Sequence, residues 1–277
     1  MEQELALLPL LYPPDTLTQL QYGASQLPKK PLMSIITGSG WGGTVPGRMV
    51  DTIPYSEIGI RFLPEVQGHA GVIRIMEYQG KTFLVFEGRL HFYQGYTYTE
   101  VIMPVTLSYL TQTEMLVLTN AAGSLHRSFF PGNLCLLTDQ IDFTLVPDPR
   151  VFTQRARFTP NLRHRVLEGT RKRGIFLHQG VYVGVLGPSF ETPSEIRLFS
   201  LLGGHVIGMS TVKEAKAAAN FNIPLLGVSL ITNWGSGLSL SPLSHEEVLE
   251  ISERSRPLMH AFFETLLTEV PKEWTSP

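Results

Sequence analysis

The chain of 277 residues carries 22 Lys and Arg against 24 Asp and Glu, a formal net charge of -2, and is 43% hydrophobic and 17% charged. That much apolar material excludes a disordered chain and supplies a large core, while the near-balanced charge leaves no broad basic field for nucleic acid, so an anionic ligand must be held by local donors. The single cysteine, Cys135, excludes an internal disulfide and a thiolate zinc site; within the apolar run Leu134 to Leu137 it reads as a buried core thiol.

The opening Met-Glu-Gln-Glu is acidic where a secretory signal would be basic. No apolar run approaches the roughly 20 residues that span a bilayer. The expectation is a cytoplasmic protein without a membrane partner. No linker or repeat divides the chain, so residues 1–277 read as a single domain, with Val270 to Pro277 as a loose tail.

A first strand is expected over Leu32–Ile36 and runs into Gly38-Ser39-Gly40-Trp41-Gly42-Gly43. This matches the G-x-G-x-x-G pattern of dinucleotide sites, but Thr44-Val45-Pro46-Gly47 follows where a helix should start. No acidic residue ends a second strand about 20 positions later either, so the dinucleotide reading fails. A glycine-rich loop after a strand can still wrap an oxyanion with backbone N–H groups, Ser39 adding its hydroxyl; a plain tight turn would look the same.

Strands over Val72–Met76 and Thr82–Phe86 flank Tyr78-Gln79-Gly80-Lys81, a hairpin turn, and Glu87-Gly88-Arg89-Leu90-His91-Phe92-Tyr93 comes directly afterwards. Residues two apart in an extended segment share a side. Arg89 and His91 can therefore address one tetrahedral oxyanion, with Tyr93 continuing the face and Gly88 letting the backbone come close. Alone, such spacing is more often a solvated surface.

The strand Leu116–Leu118 leads to Asn120-Ala121-Ala122-Gly123-Ser124, whose small side chains leave N–H groups open to a ligand or to close backbone packing. Strands over Leu134–Leu137 and Val181–Leu186 follow, the latter ending at Gly187-Pro188-Ser189-Phe190-Glu191. Helices should start at Thr192-Pro193-Ser194-Glu195, Thr211-Val212-Lys213-Glu214 and Ser244-His245-Glu246-Glu247, each a hydroxyl cap with a carboxylate three residues on. Gly208-Met209-Ser210 enters the second helix, so Ser210 is either an anion ligand at a helix N-terminus or an ordinary cap. A last strand, Leu225–Ile231, ends at Thr232-Asn233. Asn233 and Glu191 together could accept and donate along a purine edge while Phe190 covers the ring. They could equally be a turn residue and a helix N-terminal charge. Strand–helix alternation implies parallel pairing and the hairpin antiparallel pairing, hence an α/β fold with a mixed central sheet and ligands at the strands' carboxyl ends.

The motifs GSGWG, GHAG, GRLHFYQGY, NAAGS, GPSFET, GMSTV, SLITN and HEEVL, in this order from Gly38 to Leu249, make the chain resemble the trimeric, low-molecular-weight purine nucleoside phosphorylases. The resemblance implies a distorted, partly barrel-like sheet flanked by helices. It implies that Ser39, Arg89, His91, the Ala121 backbone and Ser210 hold phosphate, with His69 of Gly68-His69-Ala70-Gly71 approaching on a mobile loop. Tyr93, Met209 and His245 would face the ribose; Phe190, Glu191, Asn233, Ala122 and Gly123 would bind the base. Asn233, Glu191 and His91 would carry the catalysis. The same resemblance implies a homotrimer in which a neighbour lends a phenylalanine, a role that Phe158 fits best. It implies neither metal nor cofactor, the partners being a purine nucleoside and orthophosphate as co-substrate. The implied activity is phosphorolysis of inosine, guanosine and their deoxy forms in purine salvage.

The chain departs from the family pattern in a short stretch between Pro147 and Val181, in Asp139-Gln140-Ile141-Asp142 for the usual Asp-His-Ile-Asn, and in Trp234-Gly235-Ser236-Gly237 after Asn233. Two rivals stand beside this reading. A methylthioadenosine phosphorylase of the same fold is disfavoured by Asn233 and His245. A catalytically idle nucleoside-binding protein is disfavoured because so many buried polar groups would be left unpaired without a substrate.

Overall fold

Nine strands form one mixed sheet in the computed structural model, which describes residues 2–61, 70–239 and 245–270. They are β1 (Ser34–Thr37), β2 (Arg48–Pro54), β3 (Val72–Tyr78), β4 (Lys81–Glu87), β5 (Leu116–Ser124), β6 (Leu134–Asp142), β7 (Leu177–Gly184), β8 (Val206–Gly208) and β9 (Leu225–Trp234). The sheet order is β2-β3-β4-β1-β5-β8-β7-β6-β9, and β9 pairs back onto β5. Strands β5, β8, β7, β6 and β9 thereby close a ring, while β1, β4, β3 and β2 extend from it as an open wing. This is the mixed, partly barrel-like sheet that the sequence leads one to expect.

Strand β1 is buried along its whole length between parallel partners β4 and β5, as its apolar Ile35-Ile36 centre requires. The hairpin between β3 and β4 closes with Tyr78 opposite Lys81, and Gln79 and Gly80 both take positive φ, 49° and 75°. That is the backbone of a two-residue turn whose twist suits the strands it joins. The sequence reading misses β2 and β8. Strand β2 is an edge strand exposed over Arg48 to Asp51, with no inward apolar alternation to detect, and β8 has only three residues.

Strands β5 and β9 run further than their apolar cores suggest. Their parallel ladder continues from Leu116 opposite Leu225 to Ala122 opposite Ile231, then slips so that Gly123 faces Asn233. Asn120 to Ser124, expected as a loop, are thus the end of the strand itself, and the bulge at Thr232 re-aims the side chains beyond it.

The helices are α1 (Glu2–Leu5), α2 (Leu8–Leu11), α3 (Pro14–Ser25), α4 (Tyr98–Val101), α5 (Met103–Leu110), α6 (Pro160–Lys172), α7 (Pro193–Leu201), α8 (Val212–Asn220), α9 (His245–Arg254) and α10 (Arg256–Glu269). At α7 the backbone N–H of Thr192 donates to Glu195 at 2.7 Å while the Thr192 hydroxyl accepts from the Glu195 N–H, and Pro193 takes the first position. At α8 Glu214 accepts from the Thr211 N–H at 2.7 Å. The box expected at Ser244 falls outside the described residues.

Cys135 is fully buried and its thiol is pushed up to about 12 by that burial, as expected of a core residue. Phe158 corrects an expectation. It is 3% exposed and packs over β9, where a methyl added at Gly227 would sit 2.5 Å from its ring. A ring enclosed in its own core cannot be lent to a neighbouring subunit.

Candidate active site

The carboxyl ends of β1, β4, β5, β8 and β9, with the segment after β7, converge on a cavity of about 270 Å³. It is lined by Ser39, Arg89, His91, Tyr93, Ala121, Ala122, Gly123, Phe190, Glu191, Met209, Ser210 and Asn233, all proposed from the sequence. Two other proposed residues cannot be placed in it. His69 lies outside the described residues, and His245 opens α9 with its side chain likewise outside them. Asn120, Ile207, Thr232, Gly235 and Val248 also line the cavity without having been assigned a role. Val248 had a detectable signal, since it follows His245 by three residues on one helix face.

Polar donors gather at one end. The glycine-rich loop is pinned to β5 by the Gly38 N–H donating to Thr119 Oγ1 at 3.2 Å and by the Trp41 indole donating to the Asn120 carbonyl at 2.9 Å. Trp41 packs edge-on against Phe263 of α10, ring centroids 5.6 Å apart, so the loop is anchored from below. Gly40 has φ of 78°, and a Cβ there would collide with the Ser252 hydroxyl of α9. Ser252 itself donates to the carbonyl of Val248, the α9 residue that reaches the cavity.

Arg89 is buried, and its guanidinium is held from several sides. Nε donates to Glu214 at 2.8 Å, Nη1 to the Thr119 carbonyl and Nη2 to the Ile36 carbonyl at 3.5 Å. Its charge therefore reaches the cavity from a fixed position, partly balanced by Glu214. His91 stacks on Tyr93, ring centroids 4.8 Å apart at 20°. Burial pushes the Tyr93 phenol up, so that hydroxyl stays neutral at physiological pH. Ser210 precedes α8, with its N–H donating to the Tyr182 hydroxyl at 3.3 Å and its own hydroxyl 3.1 Å from that of Thr211. Asn120 donates to Thr211 at 2.9 Å, while its buried Oδ1 has no hydrogen-bond partner among the described residues.

The other end combines an amide, a carboxyl and an aromatic face. Thr232 donates to Asn233 Oδ1 at 2.8 Å, which fixes that oxygen and leaves Nδ2 as the donor side; Nδ2 reaches the Trp234 carbonyl at 3.2 Å. A Cβ at Gly123 would sit 3.1 Å from Nδ2, so glycine keeps the space in front of the amide open. Burial, reinforced by neighbouring Glu195, raises Glu191 above the ordinary carboxylate range. Phe190, 44% exposed, presents its face at the rim. The arrangement can hold a small oxyanion beside Arg89, His91, Ser39 and Ser210, and a heteroaromatic ring against Phe190, Glu191 and Asn233.

Comparison with known proteins places the chain in a family. The model of the phosphorylase superfamily matches residues 35–268. A purine nucleoside phosphorylase 1 of Geobacillus stearothermophilus is 32% identical over 263 residues, covering 91% of this chain and 96% of the relative. A purine nucleoside phosphorylase of a Cellulomonas species is 36% identical over 253 residues, 87% of this chain and 86% of its own. Among solved structures, the Schistosoma mansoni purine nucleoside phosphorylase in complex with inosine superposes with a TM-score of 0.80 at 29% identity, covering 94% of this chain and 98% of its own. The chain belongs to the phosphorylase superfamily as a purine nucleoside phosphorylase family member, an enzyme of the pentosyltransferase class.

Proposed function

We propose that the chain catalyses phosphorolysis of 6-oxopurine nucleosides and deoxynucleosides, releasing free purine and (deoxy)ribose 1-phosphate for purine salvage. One observation carries this reading: a single cavity holds Arg89, His91, Ser39 and Ser210 together with Asn233 and Glu191. Cleavage of the N-glycosidic bond leaves positive charge on the sugar and negative charge on the departing base, and a catalyst must stabilise both. Phosphate, held by the first group, faces the sugar and becomes bonded to its anomeric carbon. Asn233 Nδ2 donates to the imidazole edge of the purine, a bond that strengthens as the leaving electrons enter the ring. Glu191 accepts from the N1–H that 6-oxopurines carry and adenine lacks. Tyr93 and Met209 face the ribose between them.

The reading needs no metal and no cofactor, orthophosphate being the co-substrate. We propose that the working form is a cytoplasmic homotrimer. Support comes from the exposed apolar side chains at α7, Leu198, Leu201 and Leu202, with the exposed Phe143 packed on Phe199 of that helix, ring centroids 5.1 Å apart. The test is release of hypoxanthine from inosine with and without phosphate, beside guanosine, adenosine and methylthioadenosine, with the mass in solution measured by light scattering. A phosphate-independent rate, or adenosine or methylthioadenosine turning over faster than inosine, would overturn the assignment; a monomer in solution would overturn the trimer.

A further inference from the structure

Gln94 touches the cavity only through His91. It closes the short turn Phe92–Gln94, and its Oε1 receives the backbone N–H of His91 at 3.2 Å while lying 3.2 Å from His91 Nδ1. A backbone N–H can only donate, so the amide must point its oxygen, not its NH2, at His91. That oxygen can only accept, so the Nδ1 beside it carries the hydrogen. One main-chain group thus settles the flip of the amide, and the amide settles the tautomer of the imidazole. In the neutral ring Nε2 is then an acceptor. The ring cannot easily turn to undo this, because it is stacked on Tyr93 and 8% exposed.

Resting on the phosphorolysis reading, we infer that Gln94 is a positioning residue that presents His91 to the anion as a hydrogen-bond acceptor. The site then selects an oxyanion that carries a hydrogen, hydrogen phosphate, over a proton-free oxyanion of the same charge and shape such as sulfate. The neutrality of Gln94 is the point. A carboxylate at this position would favour a proton on both ring nitrogens, and an imidazolium donates to either anion alike. Among the described residues, the other ionisable groups lining cavities with His91 are Arg89, Tyr93 and Glu191 in the main cavity and Lys213 and Glu214 in a small cavity behind it. All of these act on two dianions of equal charge in the same way, so the ratio of affinities isolates the hydrogen that only one of them has.

The experiment is titration calorimetry of the intact chain with orthophosphate and with sulfate, without nucleoside, at about pH 8, where orthophosphate is largely the hydrogen phosphate dianion. The wild-type chain is expected to prefer phosphate by about a hundredfold, the scale for a buried acceptor left facing an acceptor. Gln94→Glu should bring sulfate affinity close to that of phosphate near neutrality. Nitrogen NMR of labelled histidine, assigned through His91→Asn, should show the Nδ1–H tautomer in the wild type and a mixture in Gln94→Leu, a change that a purely structural role would not produce. Equal affinities for the two anions at about pH 8, or an Nε2–H tautomer, would overturn the inference while leaving phosphorolysis intact. Failure of phosphate to bind at all would overturn the phosphorolysis reading as well.

Discussion

Arg89 and Glu214 form an ion pair, Nε to Oε1 at 2.8 Å, with each side chain 1% exposed. The second oxygen of Glu214 receives the Thr211 N–H at the start of α8, so one carboxylate both orients the guanidinium and caps the helix that follows Ser210. Removing one partner of such a pair leaves an uncompensated buried charge. Glu214→Ala should therefore lose about 3–5 kcal/mol of stability, read from the urea midpoint. Arg89→Lys should keep much of the fold but raise the KM for phosphate, because an ammonium cannot reproduce the planar fork that reaches Glu214, Thr119 and Ile36 at once. A KM unchanged in steady-state kinetics would remove Arg89 from phosphate binding.

Asn233→Ala should lower kcat/KM for inosine by about a hundredfold or more, the scale for losing one preorganised charge-stabilising donor. Thr232→Val should have a smaller effect in the same direction, since it frees the amide oxygen that Thr232 now holds at 2.8 Å. Kinetics on both variants checks the order; equal turnover in Asn233→Ala and wild type would exclude the residue from leaving-group stabilisation.

Glu191 accepts from a purine N1–H more strongly when ionised, yet burial and Glu195 raise its pKa. The sign follows directly: affinity for inosine should fall as pH drops through the raised value, giving an acid limb above the ordinary glutamate region of about 4.3. Glu191→Gln should abolish that limb and lower kcat/KM for inosine by about tenfold or more. The pH profile of kcat/KM with each enzyme is the measurement.

Lys213, buried at the start of α8, pairs with Asp142 and with Asp148 at 3.1 Å, while Tyr98 donates to Asp148 at 3.0 Å. Burial would raise Asp148, but the hydrogen bond and charge of Lys213, the Tyr98 hydroxyl and the charge of Lys216 outweigh it and hold the carboxyl low. A depressed carboxylate contributes stability that is present above its unfolded value and lost as pH falls through the folded one, so the loss should lie below about pH 4. Lys213→Met should lower Tm by roughly 5 °C at neutral pH, and its deficit against wild type should shrink as pH falls below about 4, both followed by circular dichroism.

What was legible in the sequence follows from what local chemistry writes down. Residues whose role depends on a nearby glycine, cap or strand end, such as Ser39, Arg89, His91 and Ser210, could be grouped before any coordinates and do line one cavity. The hairpin at Gln79-Gly80 and the caps at Thr192 and Thr211 were equally local. Closure of the ring was expected only through the family resemblance and not from local pattern, because the β5–β9 ladder joins residues more than a hundred positions apart, and its slip at Gly123 leaves no pattern in either strand alone. Phe158 shows the opposite failure: an aromatic residue in the right stretch of chain says nothing about whether its ring faces a neighbour or, as here, Gly227.

The tight seat of Gly40 against Ser252 sets where this enzyme can be re-engineered. Loop and helix meet there with no room for even one methyl group, so a side chain added at Gly40 would push against the helix that carries Ser252. Val248, one helical turn earlier and lining the chamber, offers the safer handle: trimming its side chain should enlarge the space there while the contact between Gly40 and Ser252 remains untouched.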